Sequence, residues 1–309
     1  MTSKAYLFEY SSLNLVIHIL KKMRKIHIIC GPTASGKSAY ALDMAQKIRA
    51  IIINADALQV YKQLKIITCC PKEEDLKITQ HFLYNHIDIF EEYNAHKYVN
   101  QVVEVLTALP DHIPTIIVGG TGMYLQFLIQ GVHRLPEIDS QIRKSVRDKI
   151  SDPIKLYKEL KEIDPLSAST LNQLDTKRIS RALEVYLQTS KSITSFYRDD
   201  NLYRPLEGCD ITTHLLLLDR KKLYENCNKR FESLIKQGAL DEAQKILPLW
   251  DNLHTSAKKA LGLKELVNYL KDEVSLDDAI KVAQQKTRNF AKRQMTWFRH
   301  QLKADHIIS

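Results

Sequence analysis

Gly31-Pro32-Thr33-Ala34-Ser35-Gly36-Lys37-Ser38 fits the phosphate loop G-x-x-x-x-G-K-[ST] at every fixed position. It lies directly after the apolar run Ile26-His27-Ile28-Ile29-Cys30 and directly before a helix-like stretch, Ser38 to Ile48. Strand, glycine-rich loop and helix in that order predict an anion cradle. Gly31 and Gly36 let the backbone turn its N–H groups inward, and the helix starting near Lys37 adds roughly half an elementary charge at its positive end. Lys37 contributes a full charge. The Ser38 hydroxyl can ligate a magnesium ion bridging two phosphates, because a small hard cation prefers oxygen ligands. A ligand suited to this loop carries at least a diphosphate.

Downstream, Ala50-Ile51-Ile52-Ile53-Asn54 reads as a second buried parallel strand. Ligands of open α/β sheets sit at the carboxyl ends of the strands, so Asp56 is expected beside the phosphate loop. A carboxylate there suits a general base, a partner to magnesium-bound water, or a helix N-cap. A third strand is predicted near Lys65 to Thr68, followed by the Ile87-Asp88-Ile89 run and a helix from about Ala95 to Leu109. Pro114-Thr115-Ile116-Ile117-Val118 is a further buried strand, ending in Gly119-Gly120-Thr121-Gly122-Met123-Tyr124, where Thr121 is a candidate phosphate or nucleic-acid contact. A hydrolytic P-loop motor needs an aspartate at such a strand end to hold magnesium, and here there is glycine. Leu215-Leu216-Leu217-Leu218-Asp219 is the sole stretch that could imitate that feature.

From Gly131 to about Thr194 the strand signal gives way to charged helical periodicity, as in an inserted helical domain. Arg178 and Arg181 fall three apart on one helical face within it. After a strand at 214–218, helices are expected at about 220–237, 239–247, 257–270 and 276–302. The predicted organisation is an N-terminal extension (1–22, with a short amphipathic helix at 12–22), a core in two pieces (23–130 and 195–309) and the insertion (131–194). The fold class is α/β, a P-loop NTPase-like doubly wound parallel sheet with an α-helical insertion and a helical C-terminal region.

The 309 residues carry a net charge of +9, from 45 Lys plus Arg against 36 Asp plus Glu. Such an excess points to a polyanion when it is clustered. It is clustered: from Lys281 to Lys303 there are seven Lys plus Arg and no Asp or Glu. On a helix, Lys281, Arg288, Lys292 and Arg299 fall within about 40° of one another, with Ala283, Phe290 and Trp297 opposite. One packed face and one basic face follow. The five cysteines show no zinc or disulfide spacing, and no apolar run reaches the roughly 18 residues that span a bilayer. Residues 13–20 are apolar, but their lysines and arginine follow the run, the reverse of a secretion signal. A cytoplasmic protein with reduced thiols and no membrane partner is expected.

Six ordered blocks carry a resemblance over roughly residues 25–300. They are 31–38, Asn54-Ala55-Asp56-Ala57-Leu58-Gln59-Val60-Tyr61, 118–124, Arg178 through Tyr186, Ala260-Leu261-Gly262-Leu263-Lys264-Glu265, and Thr287-Arg288 with Ala291-Lys292-Arg293-Gln294-Met295-Thr296-Trp297-Phe298-Arg299. The chain resembles the tRNA dimethylallyltransferases, or tRNA isopentenyltransferases. The resemblance implies transfer of a dimethylallyl group from dimethylallyl diphosphate to the exocyclic amine of the adenosine 3′ of the tRNA anticodon. Diphosphate would leave from the cradle Gly31, Pro32, Thr33, Ala34, Ser35, Gly36, Lys37 and Ser38 with Mg2+ on Ser38, and Arg220 resembles a family arginine near it. Asp56 would be the general base, acting on an adenine swung out of its stack. Asp56, Ala57, Leu58, Gln59, Thr121, Arg143, Lys177, Arg178, Ile179, Ser180, Arg181, Lys259, Gly262, Lys264, Arg288, Lys292 and Arg293 would lie on the tRNA side. The insertion would clasp the anticodon stem-loop, and a monomer is expected.

The chain departs from the family pattern at four places: Ala57 for serine, Cys69-Cys70-Pro71 for Ala-Lys-Pro, Asn226 for arginine, and Ser38 for threonine. Three other readings compete: a small-molecule P-loop kinase with Asp219 on magnesium, an enzyme prenylating free adenine nucleotides, and a nucleotide-gated RNA-binding protein.

Overall fold

A computed structural model of the chain describes residues 24–309. The expected extension 1–22, with its short helix, lies outside the described residues. Along the chain run β1 (Lys25–Cys30), α1 (Lys37–Ile48), β2 (Ile51–Asn54), α2 (Glu73–Ile78), β3 (His81–Phe82), α3 (Ala95–Ala108), β4 (Thr115–Gly119) and α4 (Gly122–Gln130). Next come β5 (Val132–His133), α5 (Ser140–Arg147), α6 (Pro153–Ile163), α7 (Pro165–Thr170), α8 (Thr176–Thr189) and β6 (Leu202–Tyr203). The chain closes with β7 (Asp210–Leu216), α9 (Arg220–Lys236), α10 (Ala239–Ile246), α11 (Leu263–Leu270), α12 (Leu276–Gln301) and β8 (His306–Ile308).

Six strands form a sheet in the order β3-β2-β4-β1-β7-β8, parallel throughout. Every residue of β2 and β4 is buried. Parallel strands covered on both faces read as unbroken apolar runs, which is why Ile51-Ile52-Ile53 and Ile116-Ile117-Val118 are strands rather than helix turns. β1 lies centrally, between β4 and β7, so the loop leaving it at Gly31 emerges from the middle of the sheet. The loops after β2 and β4 emerge beside it, because the three strands are parallel and in contact.

Several boundaries differ from expectation. Lys65 to Thr68 is not a strand: the segment is a run of turns ending at Cys69, whose φ is 57°. Its amides at Ile66 and Ile67 are held by the Glu242 carboxylate, each at 2.8 Å, so no neighbouring strand is needed to satisfy them. The strand beside β2 is instead the two-residue β3, and Ile87 makes only a single bridge to Tyr61. β7 begins at Asp210, ahead of its apolar half. The predicted helix 257–270 is a single 3-10 turn, Ala257–Lys259, followed by Gly262 at φ 91° and then α11. On α12, Ala283 is buried as expected, but the packed seam also runs through Thr287, Ala291, Gln294, Met295 and Phe298, while Phe290 and Trp297 are only half-buried.

Residues Gln130–Arg204 form a second compact unit. It exceeds the expected 131–194 because its two ends pair as the antiparallel ribbon β5–β6, Val132 opposite Tyr203 and His133 opposite Leu202. Its own core contains Val146, Leu156, Leu160, Ile179, Leu183 and Val185. Asp139, Asp152, Asp164 and Asp175 cap its four helices by accepting from first-turn amides.

Candidate active site

The phosphate loop folds as its glycines dictate. Gly36, at φ 89°, sits in the left-handed region as the N-cap of α1 and supplies no capping side chain, and the first turn has no acid. The first amides of α1 therefore stay open to an anion. Ser35 Oγ is buried with no hydrogen-bond partner, an orphan acceptor-donor within the loop. Lys37 Nζ donates to the Pro32 carbonyl at 3.3 Å. Burial pushes the Lys37 ammonium down to about 8, opposed by the Asp56 carboxylate and reinforced by the Arg230 guanidinium. An anion received here meets a lysine whose charge it would stabilise.

Asp56 follows β2, and its Oδ1 accepts from the Leu58 amide at 2.9 Å. Asn54 fixes the turn, its Oδ1 accepting from the Asp56 amide at 2.8 Å and its Nδ2 donating to the Asp56 carbonyl at 3.0 Å. Thr121, after β4, accepts from the Ala57 amide at 2.9 Å. Gly119 carries the close approach between these loops: a Cβ there would lie 2.1 Å from the Ala55 backbone.

Asp56, Ala57, Leu58, Thr33, Thr121, Lys259, Gly262, Lys264 and Arg293 line one cavity of about 840 Å³. Its wall also contains Tyr93, Tyr124, Arg230, Lys258, Lys286, Phe290, Gln294 and Trp297. That volume falls within the range of small-molecule sites, and a lining that combines lysines, arginines and aromatic rings suits a nucleobase bearing phosphates. Gln59 lies elsewhere: its amide donates to the Thr68 and Cys69 carbonyls at 3.1 and 2.7 Å, and it lines a smaller cavity of about 220 Å³ with Ser38 and Cys69.

Three residues outside the expected set grip the phosphate loop. Gln294, buried on α12, accepts from the Thr33 amide at 2.8 Å and donates to the Gly120 carbonyl at 2.7 Å, tying the β1 and β4 loops together. Arg230 on α9 donates through Nη1 to Thr33 Oγ1 and through Nε to Cys69 Sγ at 3.0 Å. One turn earlier, Asn226 donates to the Ala34 carbonyl at 3.2 Å. An i,i+4 polar pair on one face of α9 was the available sign. Arg220, by contrast, is exposed and turned to Tyr224, its Nε 3.1 Å from the Tyr224 hydroxyl. Asp219 is the exposed N-cap of α9, accepting from Lys221 and Lys222 amides, which accounts for it without magnesium.

The departures in sequence find their places. Cys69 Sγ accepts from Arg230, while the Cys70 thiol, pushed up to about 12 by burial, lies 3.0 Å from Asn85 Oδ1. Ala57 contributes its amide to Thr121 and no hydroxyl.

Of the residues expected on α12, Lys292 is exposed, whereas Arg288 is half-buried and donates to Asn228 Oδ1 at 2.6 Å and to Gln285 at 2.5 Å. In the second unit Lys177 and Arg178 are exposed, and Arg178 pairs with Asp175 at 3.5 Å. Arg181 pairs with Glu184 at 3.4 Å and Arg143 is half-buried. Ile179 and Ser180 are buried, Ile179 within that unit's apolar core, so the structure gives them packing positions on α8.

No group of three or more His, Cys, Asp or Glu able to hold a metal exists among the described residues. The Ser38 hydroxyl at the start of α1 is exposed, and a single hydroxyl suits a cation held mainly by phosphates and water.

A doubly wound parallel sheet with a phosphate loop after its central strand is the architecture of a P-loop NTPase-like protein. A profile of the IPP transferase family matches residues 59–301. The chain is 40% identical over 320 residues to the tRNA dimethylallyltransferase of Orientia tsutsugamushi strain Ikeda, across 90% of this chain and 92% of that one. It is 38% identical over 288 residues to that of Rickettsia massiliae, across 91% and 78%. Among solved structures it resembles a eukaryotic dimethylallyltransferase acting on tRNA, with a TM-score of 0.76 and 26% identity over 89% of this chain and 70% of that one. It also resembles the tRNA delta(2)-isopentenylpyrophosphate transferase of Staphylococcus epidermidis, with a TM-score of 0.62 and 26% identity over 92% and 93%. The chain belongs to the IPP transferase family.

Proposed function

We propose that this chain transfers a dimethylallyl group from dimethylallyl diphosphate to the exocyclic amine of the adenosine 3′ of the tRNA anticodon. The observation that carries this reading is a single cavity of about 840 Å³ lined by Asp56, the phosphate-loop residue Thr33, and several lysines and arginines.

The diphosphate sits in the 31–38 loop, against the open amides of α1, Lys37 and Arg230. Charge that develops on it as the allylic C–O bond breaks is met by donors already in place. The adenine amine attacks the allylic carbon, and its proton passes to the Asp56 carboxylate, which the Leu58 amide holds in position. Ser38 would help hold Mg2+, which would supply further neutralisation of the leaving group. Tyr93, Tyr124, Phe290 and Trp297 exclude water from the cation-like allylic carbon. In this reading the Lys177, Arg178 and Arg143 side chains of the second unit and Lys292 of α12 meet RNA phosphates, and the enzyme works in the cytoplasm. No helix among the described residues is long and apolar enough to cross a membrane.

Incubation with unmodified tRNA, magnesium and labelled dimethylallyl diphosphate, followed by nucleoside analysis, should give prenylated adenosine and free diphosphate. Phosphoryl transfer from ATP without prenylation would overturn the assignment in favour of a kinase.

A further inference from the structure

Cys69 and Cys70 are neighbours in sequence, and both line the cavity of about 220 Å³ that Ser38 of the phosphate loop also lines. Successive side chains of an extended segment point to opposite sides. Cys69 breaks that alternation, because its backbone turns into the left-handed region at φ 57°. The turn is braced from two directions: Gln59 donates to the Thr68 and Cys69 carbonyls at 3.1 and 2.7 Å, and Glu242 of α10 accepts from the Ile66 and Ile67 amides, each at 2.8 Å. Both thiols are half-buried, whereas Cys30 and Cys227 are buried. Their surroundings differ. Cys69 Sγ accepts from Arg230 Nε at 3.0 Å, and the same guanidinium donates through Nη1 to Thr33 Oγ1 of the phosphate loop. Cys70 Sγ lies 3.0 Å from Asn85 Oδ1 and 3.2 Å from Thr68 Oγ1, and burial keeps its proton in place by pushing the thiol up to about 12.

An arginine donor beside a half-buried thiol that lines a cavity is the setting in which cysteines react with oxidants. A second thiol on the next residue gives the oxidised sulfur a partner. We propose that Cys69 and Cys70 form an oxidative modification site, a dithiol that hydrogen peroxide converts to a disulfide between neighbours and that thereby weakens the diphosphate cradle. The Cys69 sulfur attacks one peroxide oxygen; the O–O bond breaks, a sulfenic acid forms and water leaves. The Cys70 sulfur then attacks the Cys69 sulfur, the S–O bond breaks, and the hydroxyl departs as water with the Cys70 proton. Two thiols are oxidised and one peroxide is reduced. Adjacent Cα atoms stand about 3.8 Å apart, below the roughly 4.4–6.8 Å of ordinary disulfides, so the bond is strained and readily reversed by small thiols. Bonded to Cys70, the Cys69 sulfur is drawn away from Arg230, and the guanidinium that donates to Thr33 loses one of its two anchors. The inference rests on the diphosphate-cradle part of the proposed function and not on the identity of the prenyl acceptor.

The test uses the full chain, first reduced and then treated with hydrogen peroxide. Peptide mapping should find two hydrogens lost from the peptide that carries Cys69 and Cys70, with Cys30 and Cys227 still reduced. Affinity for inorganic diphosphate with magnesium, read by calorimetry, should fall about 10- to 100-fold, the scale of a lost hydrogen bond to a charged group, and dithiothreitol should restore it. Cys69→Ala removes the attacked sulfur, so its diphosphate affinity should not respond to peroxide. Cys70→Ala should stop at the sulfenic acid, which dimedone traps on Cys69. Peroxide treatment that leaves both thiols intact, or a disulfide that forms with no change in affinity, would overturn the proposal. So would an equal effect of peroxide on Cys69→Ala. Reduced wild-type protein that binds no diphosphate would overturn the cradle, and the switch with it, whatever the thiols do.

Discussion

Asp56, the proposed base, and Lys37 of the phosphate loop are held in different ways. Asp56 is held at Oδ1 by a backbone amide, on a loop that Asn54 and Thr121 brace from two sides. Replacing it with asparagine keeps the size and removes the base, so turnover should fall on the order of 10²–10⁴ while tRNA affinity changes little. Single-turnover kinetics beside a binding titration separates the two, and near-normal turnover would remove Asp56 from the proton's path. Lys37 is prepared by burial, which brings its ammonium to about 8 before any anion arrives. Bound diphosphate favours the charged form, so affinity for inorganic diphosphate should weaken as pH rises through about 8, and Lys37→Gln should flatten that profile. Linkage gives an independent sign. The folded chain holds fewer protons than the unfolded chain between about 8 and the ordinary 10.5, so stability of the free protein should rise with pH across that window. Calorimetric binding and melting series from pH 7 to 10.5 read both.

At the scale of elements, α12 divides its surface between packing, the cavity wall and solvent. The seam of Ala283, Thr287, Ala291, Gln294, Met295 and Phe298 is buried, leaving Lys292 and Arg299 exposed with no acid near them in sequence. Changing Lys292 and Arg299 together to glutamine should make the salt dependence of tRNA binding shallower by about 0.7–0.9 log unit for each RNA phosphate that goes without its cation. An unaltered slope would return this face to ordinary solvation. Arg288 is left out of that pair because Asn228 and Gln285 already engage its guanidinium. The far edge of the sheet has a different liability. His27 on β1, His214 on β7 and His306 on β8 line up, with His27 Nδ1 3.2 Å from His214 Nε2 and the His214 and His306 rings stacked at 5.0 Å. Burial depresses both His27 and His214, Asp210 pulling the first back up and Asp305 the second. Neutral imidazoles in the folded state mean stability that is present above the ordinary 6.5 and lost as pH falls below it. Hydrogen exchange between pH 7 and 5 should show β8 opening first, and uniform protection across that range would contradict the argument. These elements also mark the limit of what periodicity reveals. β1, β2 and β4 were legible because unbroken β-branched runs can only be buried strands here, and the phosphate loop and Asp56 followed from their place at strand ends. β3 was missed because two residues give no period, and the 65–68 run misled because the Glu242 carboxylate, far away in sequence, does a strand's work for its amides. Arg230 and Gln294 were hidden for the same reason: each reaches the loop across a separation of well over a hundred residues, and only the packed helices bring them there.

The whole molecule is built as a core interrupted by a unit that begins and ends in the same place. Val132 and Tyr203 are antiparallel partners in β5–β6, so the chain leaves the core and returns to it one strand spacing away, about 5 Å. The interrupted core keeps its own sheet, phosphate loop and cavity, since every residue lining that cavity belongs to the first unit. The second unit keeps its own apolar cluster and its own helix caps. A unit with its own apolar cluster, entered and left through paired strands, permits a clean excision. Replacing residues 133–202 by Asn-Gly, a pair that closes antiparallel partners as a two-residue turn, should leave a core that unfolds cooperatively. That core should bind inorganic diphosphate as the full chain does, because the cradle is untouched. It should lose most of its activity on tRNA, because Arg143, Lys177, Arg178 and Arg181 go with the excised unit while the Asp56 cavity remains. Melting curves, diphosphate titration and prenylation of an anticodon stem-loop form the set of measurements. Undiminished turnover of RNA by the shortened chain would show that the core alone recognises its substrate, whereas loss of diphosphate binding would show that the cradle depends on the insertion.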